Sequence, residues 1–151
     1  MLISIGLRIA EAEKRLVKTA ILLVDSDLGF LFWLGRTLDM AGYEAFPARS
    51  IADAETLLSK LHLTVALLVL NFSLPGAATL VATLRGACKP LRVISLVGSG
   101  EEPPNGPGVD AVCQKPAVID ENAKAEWLET VRRVLSGECA YTATGSQLQR
   151  A

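Results

Sequence analysis

The sequence predicts an α/β domain in which helices cover both faces of a five-stranded parallel sheet. Three observations carry that expectation. Ala20–Val24 and Val65–Leu70 are wholly apolar and Leu91–Val97 is mostly so; none shows the strict alternation of a half-solvated strand, so they read as strands buried on both faces. Between such runs, apolar residues recur at three- and four-residue spacing, the mark of helices with one buried face. Half of the residues are hydrophobic but only 5% are aromatic, with Leu, Val and Ala supplying most of the apolar content, which suits strands packed between helices.

Ala20 to Val24 reads as the first strand, ending at Asp25-Ser26-Asp27. Asp27 can cap the following helix, in which Leu28, Leu31, Leu34 or Gly35, Leu38 and Ala41 keep helical spacing before Gly42 stops it. Tyr43 to Pro47 is a short second strand. Ser50-Ile51-Ala52-Asp53 resembles a capping box, with Asp in the Glu position, and opens a helix carrying Ile51, Ala54, Leu57, Leu58 and Leu61. The third strand ends at Asn71, and after the Pro75-Gly76 turn Ala77 to Arg85 gives a third helix. Leu91 to Val97 is the fourth strand.

The connection from Gly98 to Gly108 holds three prolines and four glycines and does not propagate a regular helix. Ala111 to Gln114 is the fifth strand, ending at Lys115-Pro116. Asp120 caps a last helix, with Ala125, Leu128, Val131 and Leu135 on one face and Gly137 after its end. Parallel strands joined by right-handed helical crossovers give a doubly wound sheet of order 2-1-3-4-5, with a site expected at the carboxyl ends of its strands. The domain is expected over residues 19–136, with residues 1–18 as a short helix or arm and residues 137–151 as a disordered tail.

Composition excludes several classes of function. The net charge is −1 and no Lys/Arg cluster is longer than Arg132-Arg133, so nothing draws this chain to a phosphate backbone. The longest uninterrupted apolar run, Val65 to Leu70, is far short of the roughly 20 residues of a membrane span. Cys88, Cys113 and Cys139 form no close pair, which argues against a disulfide framework or a zinc knuckle and for a reducing cytoplasm.

The pieces Leu22-Leu23-Val24-Asp25, Gly42-Tyr43-Glu44, Asn71 to Gly76 and Lys115-Pro116, in this order and spacing, resemble a response-regulator receiver domain of two-component phosphorelay signalling. The resemblance spans residues 20 to 135. It implies a flavodoxin-like fold, with the fourth helix shortened or replaced by the Gly98–Gly108 loop. Carried over position by position, the family's acidic pair falls on Asp25 and Ser26, its phosphoacceptor aspartate on Asn71, its switch hydroxyl on Val97 and its lysine on Lys115. Val112 stands where the family often has a switch aromatic.

Only Asp25 and Lys115 keep the family's chemistry. A carboxamide lacks the charge and the nucleophilic oxygen needed to take up a phosphoryl group. Loss of acids at two of three positions lowers the local carboxylate charge from −3 to −1, so magnesium binding is expected to be weak or absent, with Asp25 the one retained candidate ligand. Valine has no hydroxyl to turn toward a phosphoryl oxygen. The resemblance therefore implies a degenerate, stand-alone receiver that is not an enzyme and uses no cofactor. It would act in the cytoplasm as a monomer or weak dimer, through a histidine kinase or another signalling protein.

Simpler roles exist for the same residues. Asp25 can be a buried partner of Lys115. Asp27 can be a helix cap, and Asn71 can donate to Asp25 and accept from Lys115. His62, the one histidine, reads as a surface turn residue, Trp33 and Trp127 as packing residues, and Cys113 as a small core residue. The competing enzymatic reading is a haloacid-dehalogenase-like phosphatase using Asp25 and Asp27, with Lys115 balancing charge. Against it, Gly29 stands where that family has Thr or Val, no paired acidic motif lies near the end of the sequence, and Asn71 to Gly76 goes unexplained.

Overall fold

The computed structural model describes residues 18–88, 90–98 and 108–137. Its five strands are β1 (Ala20–Val24), β2 (Glu44–Ala48), β3 (Val65–Leu70), β4 (Arg92–Val97) and β5 (Ala111–Gln114). All pair in parallel, in the order β2-β1-β3-β4-β5. The register aligns the carboxyl ends: Val24 faces Ala48 on one side and Leu70 on the other, and Val97 faces Gln114. The ladder runs one residue past β1, β3 and β5. Asp25 N–H donates to Ala48 O at 3.1 Å, Asn71 N–H to Val24 O at 3.0 Å and Lys115 N–H to Val97 O at 2.9 Å. Three polar residues that would otherwise begin loops are thus held on the sheet by its own hydrogen bonds.

Among the described residues four helices cover the sheet: α1 (Leu28–Met40), α2 (Ile51–Leu61), α3 (Ala77–Ala87) and α4 (Glu121–Leu135). Because successive strand residues point to opposite faces, each apolar run supplies two cores. Ile21, Leu23, Leu67, Val69, Ile94 and Leu96 pack with α1 and α4, while Leu22, Val24, Leu68, Leu70 and Val93 pack with α2 and α3.

The predicted doubly wound topology is the observed one. The bounds of β1, β3 and β5 agree, β2 starts one residue later than expected, β4 begins at Arg92, and α3 continues to Ala87. The faces of three helices differ from expectation. On α4 the buried residues are Ala123, Trp127, Thr130, Val131 and Val134, whereas Ala125 is exposed. The cause is Trp127, whose ring meets that of Phe30 edge-on with centroids 5.8 Å apart. Thr130 can share this face because its hydroxyl donates to Glu126 O at 2.9 Å. On α1 and α2, Leu28, Ala41 and Leu61 are exposed. The expectations for residues 1–17, for the 99–107 part of the proline- and glycine-rich connection and for residues 138–151 lie outside the described residues.

Two turns show how the chain is punctuated. Gly76 precedes α3 with φ 86°, so the β3–α3 turn requires its backbone freedom; a Cβ there would lie 3.5 Å from the Ile51 side chain, an ordinary contact, so conformation and not space selects glycine. His62 closes α2 in the left-handed region, at φ 49°, with its N–H on Leu58 O. It is a turn residue at the strained position where helices favour glycine. His62→Gly is expected to stabilise the domain by about 1 kcal/mol, read as a higher urea midpoint with unchanged slope.

Candidate functional site

The extended ladder brings Asp25, Asn71 and Lys115 to one mouth, at the ends of β1, β3 and β5. Asp25 is fully buried and both of its oxygens are engaged. Its Oδ1 accepts from Asn71 Nδ2 at 2.8 Å, and its Oδ2 lies 2.6 Å from Lys115 Nζ. Asp27 joins at the rim, with its Oδ2 3.7 Å from the same ammonium and its Oδ1 accepting from Phe30 N–H at 3.2 Å as the cap of α1. Lys115 Nζ also lies over the Phe30 ring, 5.7 Å from its centroid. One cation is therefore held by a buried carboxylate, a cap carboxylate and an aromatic face.

The bridge expected of Asn71 takes a different form. Its amide donates to Asp25 as expected, but its Oδ1 accepts from Ser73 N–H at 2.9 Å and from the Ser73 hydroxyl at 2.5 Å, and Lys115 pairs with Asp25 directly. A side-chain oxygen bonding the backbone two residues on is an Asx turn, and it fixes the start of the β3–α3 loop. Ser26 is exposed, next to the buried Asp25. Val97 is buried, and its carbonyl holds Lys115 N–H. Sequence reasoning left out Phe30 and did not pair Ser73 with the Asn71 side chain. The Asn71-x-Ser73 spacing of an Asx turn and the three-residue step from Asp27 to Phe30 were the available signals.

The arrangement has little capacity for covalent chemistry. Asn71 presents an amide whose donor and acceptor are both committed. Among the described residues, no three His, Cys, Asp or Glu side chains gather closely enough to hold a metal ion. Asp25, already neutralised by Lys115, does not offer the free carboxylates that magnesium favours, so the donor set does not fit that ion. The phosphatase reading meets the same obstacle, because Asp25 as nucleophile is fully buried and would have to leave its ion pair with Lys115, while Asp27 is occupied in capping α1.

Cys113, two residues before Lys115 on β5, is the other nucleophile in this strand. Burial pushes its thiol from an ordinary 9.0 up to about 12, so it stays protonated and inert in the folded protein. Because the folded value is the higher one, the stability this group contributes is fully present below pH 9.0 and is lost as pH rises toward about 12. Alkylation of Cys113, which is half-buried, is accordingly expected to be slow in the folded protein at mildly alkaline pH and fast once the domain unfolds. Mass-spectrometric labelling across a urea series checks this, and rapid labelling of the native protein would contradict it.

No family model and no curated protein matches this chain. Solved structures do. The signal receiver domain of an HD domain-containing protein from Pseudomonas fluorescens superposes with a TM-score of 0.63 at 26% identity, covering 80% of this chain and 97% of that one. A response regulator receiver domain from Methanospirillum hungatei gives 0.62 at 19% identity, covering 80% and 96%. A response regulator from Thermotoga maritima gives 0.60 at 17%, covering 80% and 99%. The fold is that of a response-regulator receiver domain. The match spans nearly the whole of each of these three neighbours. On this receiver fold, the mouth at the ends of β1, β3 and β5 holds an Asn–Asp–Lys network.

Proposed function

We propose that this chain is a receiver-type module of two-component signalling that works without phosphorylation, binding a protein partner in one fixed conformation. The receiver fold supports a place in such signalling, and the observation that carries the finer reading is the engagement of Asn71. At the position that the sequence resemblance assigns to the phosphoacceptor stands an amide, donating to Asp25 and accepting from Ser73. It has no anionic oxygen with which to attack phosphorus. Val97 offers no hydroxyl to read out a phosphoryl group, and the Asp25–Lys115 pair is closed on itself. What the network does supply is a rigid tie between three strand ends, which holds the surrounding loops in a single arrangement.

The partner in this reading is a histidine kinase or another signalling protein in the cytoplasm, and the module itself catalyses nothing. No described helix is long and apolar enough to cross a membrane. The test is incubation of the full chain with acetyl phosphate and magnesium, followed by intact-mass measurement. An unchanged mass is expected. A hydroxylamine-sensitive gain of one phosphoryl group would overturn the reading.

A further inference from the structure

We infer that a second copy of this chain docks on the outer face of α1, as an antiparallel two-fold pair of helices. Six large hydrophobic side chains are exposed among the described residues, and three of them, Leu28 (45%), Phe32 (74%) and Met40 (68%), lie on one row of this helix at four-residue steps. The remaining member of the row is Arg36, also exposed. The opposite side of α1 is committed to the core through Phe30, Leu31, Leu34 and Leu38. A row of this kind forms a ridge inclined to the helix axis by about −26°, and two helices crossing near −50° bring such ridges into line along their length.

The row is its own complement, and this selects the occupant. With the two-fold axis midway between Phe32 and Arg36, residues equidistant from it meet: Leu28 faces Met40, and Phe32 faces Arg36, twice over. The one cation of the row then falls against an aromatic ring of the partner, a favourable contact. A parallel pairing would instead set Arg36 against Arg36. The row contains no acid, so nothing in it is left facing a like charge in the antiparallel arrangement. The small net charge of −1 offers no long-range obstacle to self-association.

A crossing of two 13-residue helices buries well under the roughly 800 Å² per partner of a standard stable interface, so the dimer is a weak one. It also lies beside the site, since α1 is capped by Asp27, which contacts Lys115. The proposal stands independently of phosphorylation.

Sedimentation velocity of the full chain over a wide concentration range tests it. The weight-average mass should rise from 16.1 kDa toward twice that value. Phe32→Glu and Arg36→Glu should each weaken the association by roughly tenfold or more. Combining Phe32→Arg with Arg36→Glu should restore it through oppositely charged pairs across the axis. A mass that stays at one chain at every concentration overturns the proposal. In that case a lowered melting temperature for Phe32→Glu assigns the row to a cover within the same chain, and an unchanged one leaves it to a different protein. A dimer indifferent to Phe32→Glu lies elsewhere, and a dimer lost in the single variants but not restored by the combination has another register; both results also overturn it.

Discussion

Lys115→Met is expected to destabilise the domain by about 3–5 kcal/mol, the usual consequence of removing one partner from a buried ion pair. The charge left behind belongs to Asp25, which is fully buried and would keep only the hydrogen bond from Asn71. Asp27 offers no compensation, because it is another acid at the same mouth. The reverse replacement is informative in combination. Asp25→Leu with Lys115→Met removes both charges, and this double variant should recover much of the loss, since a buried pair is often matched by well-packed apolar residues. Urea denaturation of the two single variants and the double variant measures the coupling. Near-additive losses would mean that the pair is not closed as described, and that Lys115 spends its time in solvent.

The second large effect concerns chemistry. Asn71→Asp alone sets a second carboxylate against Asp25 Oδ1, where the amide now donates at 2.8 Å, so a hydrogen bond becomes a repulsion. Adding Ser26→Asp fills with acids all three positions to which the receiver resemblance assigns them, a charge that magnesium can neutralise. The double variant, given acetyl phosphate and magnesium, should gain a hydroxylamine-sensitive phosphoryl group while the native sequence gains none. In that step the new carboxylate attacks phosphorus, the phosphorus–oxygen bond to acetate breaks, and acetate leaves. Intact mass reads the outcome. If the double variant remains unlabelled, loss of acids alone does not account for an unlabelled native protein, and the closed Asp25–Lys115 pair or the surrounding loops must block access instead.

The sheet was legible in the sequence because parallel strands buried on both faces have to be nearly continuous apolar runs, and few other elements look like Val65–Leu70. The polar residues that interrupt those runs, Asp25, Asn71 and Lys115, were legible as a group for the same reason: in this topology strand ends converge. The helix faces were harder. Periodicity on α4 tolerates a rotation of one residue, and the rotation was decided by a tertiary contact, Trp127 against Phe30, across elements that lie far apart in the chain. The donor to the Asn71 side-chain oxygen was misassigned because a local Asx turn to Ser73 competes with a long-range bond to Lys115, and spacing alone does not rank the two. The exposed row on α1 is hidden by the helical spacing itself, which places Leu28 among the inward residues.

The one-residue continuation of the ladder past β1 and β3 bears on how this mouth behaves in time. The Asn71 amide proton is locked between the central strands β1 and β3 and that of Asp25 between β1 and the edge strand β2, so exchange with deuterium at Asn71 should proceed only when the entire domain opens. Such a surface cannot melt separately from its scaffold. A partner either meets the same relief on every encounter or meets an unfolded polypeptide, and recognition is therefore coupled to the survival of the fold.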